Sequence, residues 1–197
     1  MLRGCAWIAI LGCAVFSLSI LIADFVVPNH DWLADTISDL GAGKYEYIVD
    51  IGIYAFSAAL LACAVGGAHA HLDGTRWSGS VFALILLGLI VFLVGARNEY
   101  GDSDQDGAVI HVYLVYALGA LFAVVPWAMS KGVSRVSATL GRVCTAVSVL
   151  WIPMAPAFFF MPDGYDGGYE RVLGLLTFAF VLSLAVAFLR IADGVDG

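Results

Sequence analysis

The sequence predicts an all-α integral membrane protein, folded as a single bundle of six transmembrane helices. Of its 197 residues, 61% are hydrophobic, against about 45–50% in soluble domains. Six apolar stretches each approach or exceed the length of about 20 residues that a spanning helix needs. Lipid offers the backbone no hydrogen-bond partner, so continuous runs of this length are helical. Because the loops between them are short, residues 1–197 are expected to form one domain.

The six predicted helices cover approximately residues 4–27, 48–70, 78–96, 109–130, 139–161 and 169–191. The first run follows Arg3 but is longer than the apolar core of a secretion signal. It also lacks a small-residue cleavage pattern before Asp24, so we expect it to be retained as a helix. The four cysteines all fall within apolar runs (Cys5, Cys13, Cys63 and Cys144). They are interpreted as buried thiols, without a disulfide or zinc framework.

Charge placement predicts that both termini are cytoplasmic. One side of the membrane would carry six basic residues (Arg3, Arg76, Lys131, Arg135, Arg142 and Arg190) and the other three (Lys44, Arg97 and Arg171). The positive-inside rule makes the first side cytoplasmic. The outer side would carry thirteen of the sixteen carboxylates. This acidic surface should attract cations, and nucleic acid is not expected as a partner.

The loop of residues 28–47 is predicted to lie on the membrane surface. Its apolar residues recur at helical spacing (Leu33, Ile37 and Leu40). This spacing favours a short interfacial helix with Asp35 and Asp39 one turn apart on one face. Gly41 and Gly43 would end it. A solvated re-entrant loop is the alternative. Asp24, in the last turn of the first helix, either reaches the surface or faces a polar pocket between helices.

Residues 37–41, Ile-Ser-Asp-Leu-Gly, followed by Gly52, resemble the signature loop of a bacterial six-helix membrane family known as domain of unknown function 998. They are also distantly similar to the Frag/DRAM/Sfk group, which includes proteins of GPI-anchor lipid remodelling. His111 at the start of the fourth helix and Tyr-Glu-Arg at 169–171 fit the first family. Residues 98–102 depart from it, since a Pro-Asp pair is expected there. The resemblance implies the architecture and site positions, and no reaction.

A possible metal site follows the third helix. The sequence D-x-D-x-D-G matches the first half of an EF-hand calcium loop. Its predicted ligands are the carboxylates of Asp102, Asp104 and Asp106 and the carbonyl of Ala108. Tyr113 stands where that motif has a bidentate glutamate, so another loop, with Asp163 or Asp166, would have to complete the shell. Two interpretations of this sequence remain: a site for calcium or another divalent ion, and a solvated acidic turn.

A polar site is predicted where the outer helix ends converge. The candidate ligand-binding residues are Asp24, Ser38, Asp39, Arg97, His111 and Arg171. They would surround a lipid headgroup or a small ligand within an acidic cap. If the protein is an enzyme, His111 would act as base or metal ligand and Asp39 would orient it. Alternatively, His111 is a polar residue at a helix start whose hydrogen bonds are satisfied within the protein. Whether the protein is an enzyme stays open.

A second function of a different class also fits the sequence. The protein would be a non-enzymatic accessory or scaffold subunit of a larger membrane complex, with its acidic loops as the docking surface. The expected partners are membrane lipid and other membrane subunits, and the expected location is the bacterial inner membrane.

Two patterns concern packing. Gly119 and Ala123 form a small-xxx-small pair that predicts close helix packing. Pro153 and Pro156 each remove a backbone hydrogen bond, and the resulting kink would either open a cavity or serve packing.

Overall fold

The computed structural model describes residues 1–96, 110–162 and 164–194, and the regular structure in these ranges is α-helical. The helices are α1 (Leu2–Val26), α2 (Ile37–Leu40), α3 (Glu46–Ala70), α4 (Thr75–Ala96), α5 (Ile110–Ser134), α6 (Ala138–Phe158) and α7 (Asp166–Ala192). Six of them, all but α2, are long and apolar enough to cross a membrane. The predicted fold class is confirmed: the chain is a polytopic, all-α membrane protein.

The six long helices form a ring in which each packs against its neighbours. The pairs are α1 with α3, α3 with α4, α4 with α5, α5 with α6, α6 with α7, and α7 with α1. In addition, α7 contacts α3 and α5 across the ring. In the most apolar 18 residues of α3 and of α7, half of the residues are buried. The corresponding share in the other four helices is 22–33%. These two helices are therefore the most enclosed and form the centre of the bundle.

Small residues and one indole bring α3 and its neighbouring helices close together. A Cβ at Gly12 of α1 would lie 2.4 Å from the carbonyl oxygen of Ala55, so α1 and α3 approach as closely as a glycine allows. Trp77 of α4 is 1% exposed, and its indole N–H donates to the Gly67 carbonyl of α3 at 2.8 Å. A Cβ at Gly132 of α5 would meet that same indole ring at 2.5 Å. The described cysteines are buried free thiols, as expected.

The two ends of the bundle are distinct. We call the end that carries residues 27–45 and 159–162 the loop end, and the opposite one the terminal end. At the terminal end Arg3 pairs with Asp193 at 2.5 Å and Arg135 pairs with Asp73 at 2.6 Å. The predicted helix boundaries differ from the observed ones by up to four residues, since α5 continues to Ser134. The apolar run marks the hydrocarbon region, and a helix can continue beyond it into the interface.

The predicted interfacial helix is shorter than its apolar spacing suggested. Thr36 is its N-cap: the Thr36 hydroxyl accepts the Asp39 N–H at 3.0 Å, and the Asp39 carboxylate accepts the Thr36 N–H at 2.8 Å. This capping box fixes the start of α2 at Ile37. Asp35 lies outside the helix, so the prediction that Asp35 and Asp39 share one helical face is wrong. Gly41 is the C-cap, as predicted.

Candidate functional site

Four charged or polar side chains bond the first loop to α1 and α7. We call Asp24, His30, Asp35 and Arg171 the ion-pair cluster. The Arg171 guanidinium lies 2.7 Å from the Asp24 carboxylate, and His30 lies 2.9 Å from Asp24 through Nε2 and 3.2 Å from Asp35 through Nδ1. The His30 side chain is 3% exposed, and those of Asp24 and Arg171 are 17% exposed. Asp24 therefore faces a polar pocket between helices, one of the two alternatives for it.

The chain reaches this cluster through a tight turn. Asn29 follows Pro28 and has a φ of 58°, a left-handed conformation that asparagine tolerates better than most residues. The turn directs His30 back toward the end of α1. The next residues are held by their own side chains, since the Asp35 carboxylate accepts the Asp31 N–H at 2.8 Å. The sequence Pro-Asn-His-Asp thus builds the turn and supplies a member of the cluster.

Arg171 is the residue that joins the loop to α7. Its Nη1 donates to the carbonyls of Asp35 and Gly167, each at 3.0 Å. Its Nη2 donates to Asp24 and lies 3.3 Å from the His30 ring. The Nε atom is buried, and none of the residues described in the structure accepts its N–H. The guanidinium thus contacts the loop, through Asp35 and His30, and the end of α1, through Asp24.

Gly167 allows the loop backbone to lie directly on α7. A Cβ at this position would be 2.1 Å from the carbonyl oxygen of Asp35, far inside van der Waals contact. The neighbouring Gly168 donates its N–H to the Leu33 carbonyl at 2.9 Å. The Gly-Gly pair at the start of α7 is therefore the surface on which the loop packs.

Glu170 connects α7 to the short helix. Its carboxylate accepts the N–H of Ile37, the first residue of α2, at 2.5 Å. This satisfies one of the backbone donors that a helix start leaves without an intrahelical partner. We call residues 36–41 the roof segment, because Ile37, Ser38 and Gly41 line the cavity described next.

A cavity of about 690 Å³ lies between the helices at the loop end. Ligand pockets typically measure about 300–1,000 Å³ and have apolar walls with a few polar groups. This cavity has that composition. Its polar lining residues in the described ranges are Ser38, Asp50, His111, Tyr116, Glu170 and Thr177. The rest of the lining is mainly aliphatic and aromatic, with contributions from all six long helices.

Polarity changes along the cavity. Asp50, His111 and Glu170 lie in the first two turns of α3, α5 and α7, and these three helices all begin at the loop end. Farther from that end the wall is mainly apolar and includes the tyrosine Tyr116. It also includes Thr177, whose hydroxyl donates to the Gly174 carbonyl at 2.8 Å. Trp151 lines this deeper part. Hydrogen-bonding groups are thus concentrated at one end of an otherwise apolar space.

Two glycines of the wall leave space in the cavity. A Cβ at Gly119 of α5 or at Gly174 of α7 would meet no atom within 4 Å. The Trp151 indole N–H donates to the Gly119 carbonyl at 2.8 Å. The prediction that Gly119 mediates close helix packing is wrong, because the position faces the cavity. Pro156 also lines the cavity, while α6 continues through both prolines to Phe158.

The predicted site residues fall into three groups. Asp24 and Arg171 meet in the ion-pair cluster. Ser38 and His111 line the cavity, and His111 is 6% exposed. Asp39 completes the capping box with Thr36 at the start of α2. The remaining candidates lie outside the described residues (Arg97, Asp102, Asp104, Asp106 and Ala108). Within the ranges that the structure describes, no group of three or more His, Cys, Asp or Glu residues is placed to hold a metal ion.

A polar site at the outer helix ends was predicted, and a cavity was one of two alternatives for the kink at Pro153 and Pro156. The contributions of His30 to the ion-pair cluster and of Asp50 to the cavity were not predicted. A usable signal for the cavity was present on α7, because Glu170, Gly174 and Thr177 are spaced by four and three residues. Such residues share one face of a helix. This face of α7 carries a carboxylate, a glycine and a hydroxyl in an otherwise apolar helix. Such a face indicates a cavity with a polar end rather than a surface in contact with lipid.

The family model described as Protein of unknown function (DUF998) matches residues 10–187. The chain belongs to this family. The ion-pair cluster and the cavity lining both lie inside the matched range. The match confirms the first resemblance noted from residues 37–41, whereas the resemblance to the Frag/DRAM/Sfk group stays a prediction. No curated protein and no solved structure matches the chain.

Proposed function

We propose that this DUF998 protein binds an amphiphile, a lipid or lipid-like molecule, in the cavity at the loop end. The observation that carries the proposal is the distribution of polarity in a space of about 690 Å³. A hydrocarbon portion fits the apolar depth, and a polar portion fits the end with Ser38, Asp50, His111 and Glu170. A wholly polar solute would leave the apolar wall without a matching surface.

The polar end offers hydrogen-bond partners of several kinds. The Ser38 hydroxyl can donate or accept, and the carboxylates of Asp50 and Glu170 accept when ionised. Of the two catalytic candidates, His111 lines the cavity and Asp39 is engaged in the capping box with Thr36. We therefore propose His111 as a residue that contacts the polar group of the ligand. The two ring nitrogens of an imidazole can donate and accept hydrogen bonds.

The proposed ligand comes from the outer leaflet of the membrane. The basic residues predict that the terminal end is cytoplasmic, which places the loop end and its cavity on the outer side. In a bacterium this would be the periplasmic side of the inner membrane. The roof segment would then cover the polar end of a molecule taken from that leaflet.

Retention of lipid through purification tests the proposal. In wild-type protein washed in mild detergent, we expect a bound amphiphile to be detected by mass spectrometry of the extracted lipid. In a Gly174→Phe variant the retained amount should fall by about ten-fold, because the ring occupies open cavity space. When the ligand fills this space, overfilling it costs roughly 1–3 kcal/mol, and about 1.4 kcal/mol corresponds to ten-fold.

Gly79→Phe is the matched control. Gly79 is an exposed glycine of α4 outside the cavity lining, and a Cβ there also meets no atom within 4 Å. This variant should retain as much lipid as the wild type. Equal retention in the wild type and Gly174→Phe would overturn the proposal and favour the accessory-subunit alternative, in which the cavity has no ligand.

The calcium site stays a prediction, carried by the D-x-D-x-D-G sequence. If it forms, calcium should raise the melting temperature of the purified protein and a chelator should reverse the effect. An Asp104→Asn variant removes a central carboxylate ligand and should abolish the calcium-dependent shift. A wild-type melting temperature that is insensitive to both calcium and chelator would contradict the prediction.

A further inference from the structure

The cavity extends over roughly the depth of one membrane leaflet. Its lining on α5 runs from His111 to Ala123, and its lining on α7 from Glu170 to Thr177. At about 1.5 Å per residue these stretches span approximately 18 Å and 10 Å. Half of a hydrocarbon core of about 30 Å is roughly 15 Å. A hydrocarbon chain that begins at the polar end can therefore lie straight along the helices.

Aromatic rings pack together in the deep part of the cavity. Phe122 is fully buried, and its ring centroid lies 5.2 Å from that of Trp151 and 6.4 Å from that of Phe180. The rings of Phe16 and Phe56, which also line the cavity, are 5.5 Å apart. Rings held by several neighbours resist displacement, since protein interiors are close-packed. They can therefore limit the length of a chain that enters from the polar end.

The length of the cavity sets the length of chain that it can hold. One chain that reaches the aromatic rings at the deep end has about 8–14 carbons, at about 1.3 Å advance per carbon from C–C bonds of about 1.5 Å. The volume of about 690 Å³ lies within the range of about 300–1,000 Å³ that is typical of small-molecule pockets. A single chain and its polar group therefore fit.

We propose that the cavity accepts one hydrocarbon chain and selects its length, with Gly119 as the specificity-determining residue. This inference rests on the proposed function. Gly119 lies eight residues from His111, about 12 Å along α5, and faces open space. It therefore leaves room for the distal part of the chain. A side chain at this position shortens the usable cavity to about 9 carbons, while the polar end is untouched.

A chain-length series tests the inference. Wild-type protein in lipid nanodiscs is titrated with lysophosphatidylcholines of increasing chain length, and bound probe is counted by native mass spectrometry. Wild-type affinity should rise to a maximum at a chain of about 14 carbons or fewer. In Gly119→Leu the maximum should move to about 9 carbons, and binding of the longest wild-type ligand should weaken about ten-fold. Phosphatidylcholine with two chains is tested as a separate probe. Its binding would show that one chain of an ordinary bilayer lipid can enter the cavity.

Two variants serve as controls. Gly79→Leu should keep the wild-type maximum. Gly174→Leu lies only four residues from Glu170, near the polar end, and should weaken every chain length without moving the maximum. Unchanged melting temperatures would show that the variants fold. If the wild type binds no probe at all, the proposed function fails. If it binds probe but Gly119→Leu leaves the maximum in place, only the length-selection inference fails.

Discussion

Replacing Arg171 with methionine is expected to lower the free energy of unfolding by about 3 kcal/mol, the range found when one partner of a buried ion pair is removed. The guanidinium bonds the Asp24 carboxylate at 2.7 Å and the Asp35 carbonyl at 3.0 Å, and its side chain is only 17% exposed. Without it, Asp24 keeps His30 as its remaining partner in the cluster. Chemical denaturation of the detergent-solubilised protein would measure the loss.

Arg142→Met is the matched control for this experiment. Arg142 is an exposed arginine of α6 whose side-chain hydrogen bonds are long, at 3.4 and 3.5 Å. Its replacement should change stability by less than about 0.5 kcal/mol. A double variant, Asp24→Asn with Arg171→Met, should be more stable than Arg171→Met alone, because it also removes a carboxylate that has lost the guanidinium and keeps only His30. Equal stability of Arg171→Met and Arg142→Met would show that the cluster contributes little.

Gly167→Ala is expected to destabilise the protein by about 2 kcal/mol, within the range for overpacking a filled site. The added Cβ would lie 2.1 Å from the Asp35 carbonyl oxygen. This neighbour is backbone, so the loop must move away from α7. The movement would lengthen the hydrogen bonds from Arg171 to Asp35 and from Gly168 to Leu33. The same denaturation assay measures the effect.

Gly174→Ala should change stability in the opposite direction. Both glycines lie on α7, but a Cβ at Gly174 meets open space. Alanine is favoured over glycine in a helix by about 0.5–1 kcal/mol, so this variant should be slightly more stable than the wild type. If both alanine variants were equally stable, the close approach of Asp35 to Gly167 would be disproved.

The ion-pair cluster and the cavity are neighbouring parts of one structure. Glu170 accepts the Ile37 N–H and also lines the cavity, and Arg171 follows it directly in sequence. The bonds that attach the loop to α7 thus also hold the roof segment over the polar end. Gly167→Ala is accordingly expected to lower lipid retention as well as stability. A variant with lower stability and full lipid retention would separate the two roles.

The sequence by itself determined the fold class and the approximate helices. Apolar runs of membrane-spanning length can satisfy their backbone hydrogen bonds only within themselves, so composition and length are sufficient. The short helix was also anticipated in part: Gly41 ends it as predicted. Its start differs from the predicted one, because the capping box of Thr36 and Asp39 begins the helix at Ile37. A local hydrogen-bond pattern decided that boundary.

Only the tertiary structure decided which polar residues meet. The Asp24–Arg171 pair joins residues 147 positions apart, and no local spacing specifies such a contact. The apolar wall of the cavity could not be recognised either, because an apolar side chain that faces a cavity has the same composition as one that faces lipid. Gly119 illustrates the difficulty: in sequence it suggests close packing, and in the ring of helices it faces open space. The order in which helices pack around α3 and α7 turns the same residues into either a contact or a cavity wall.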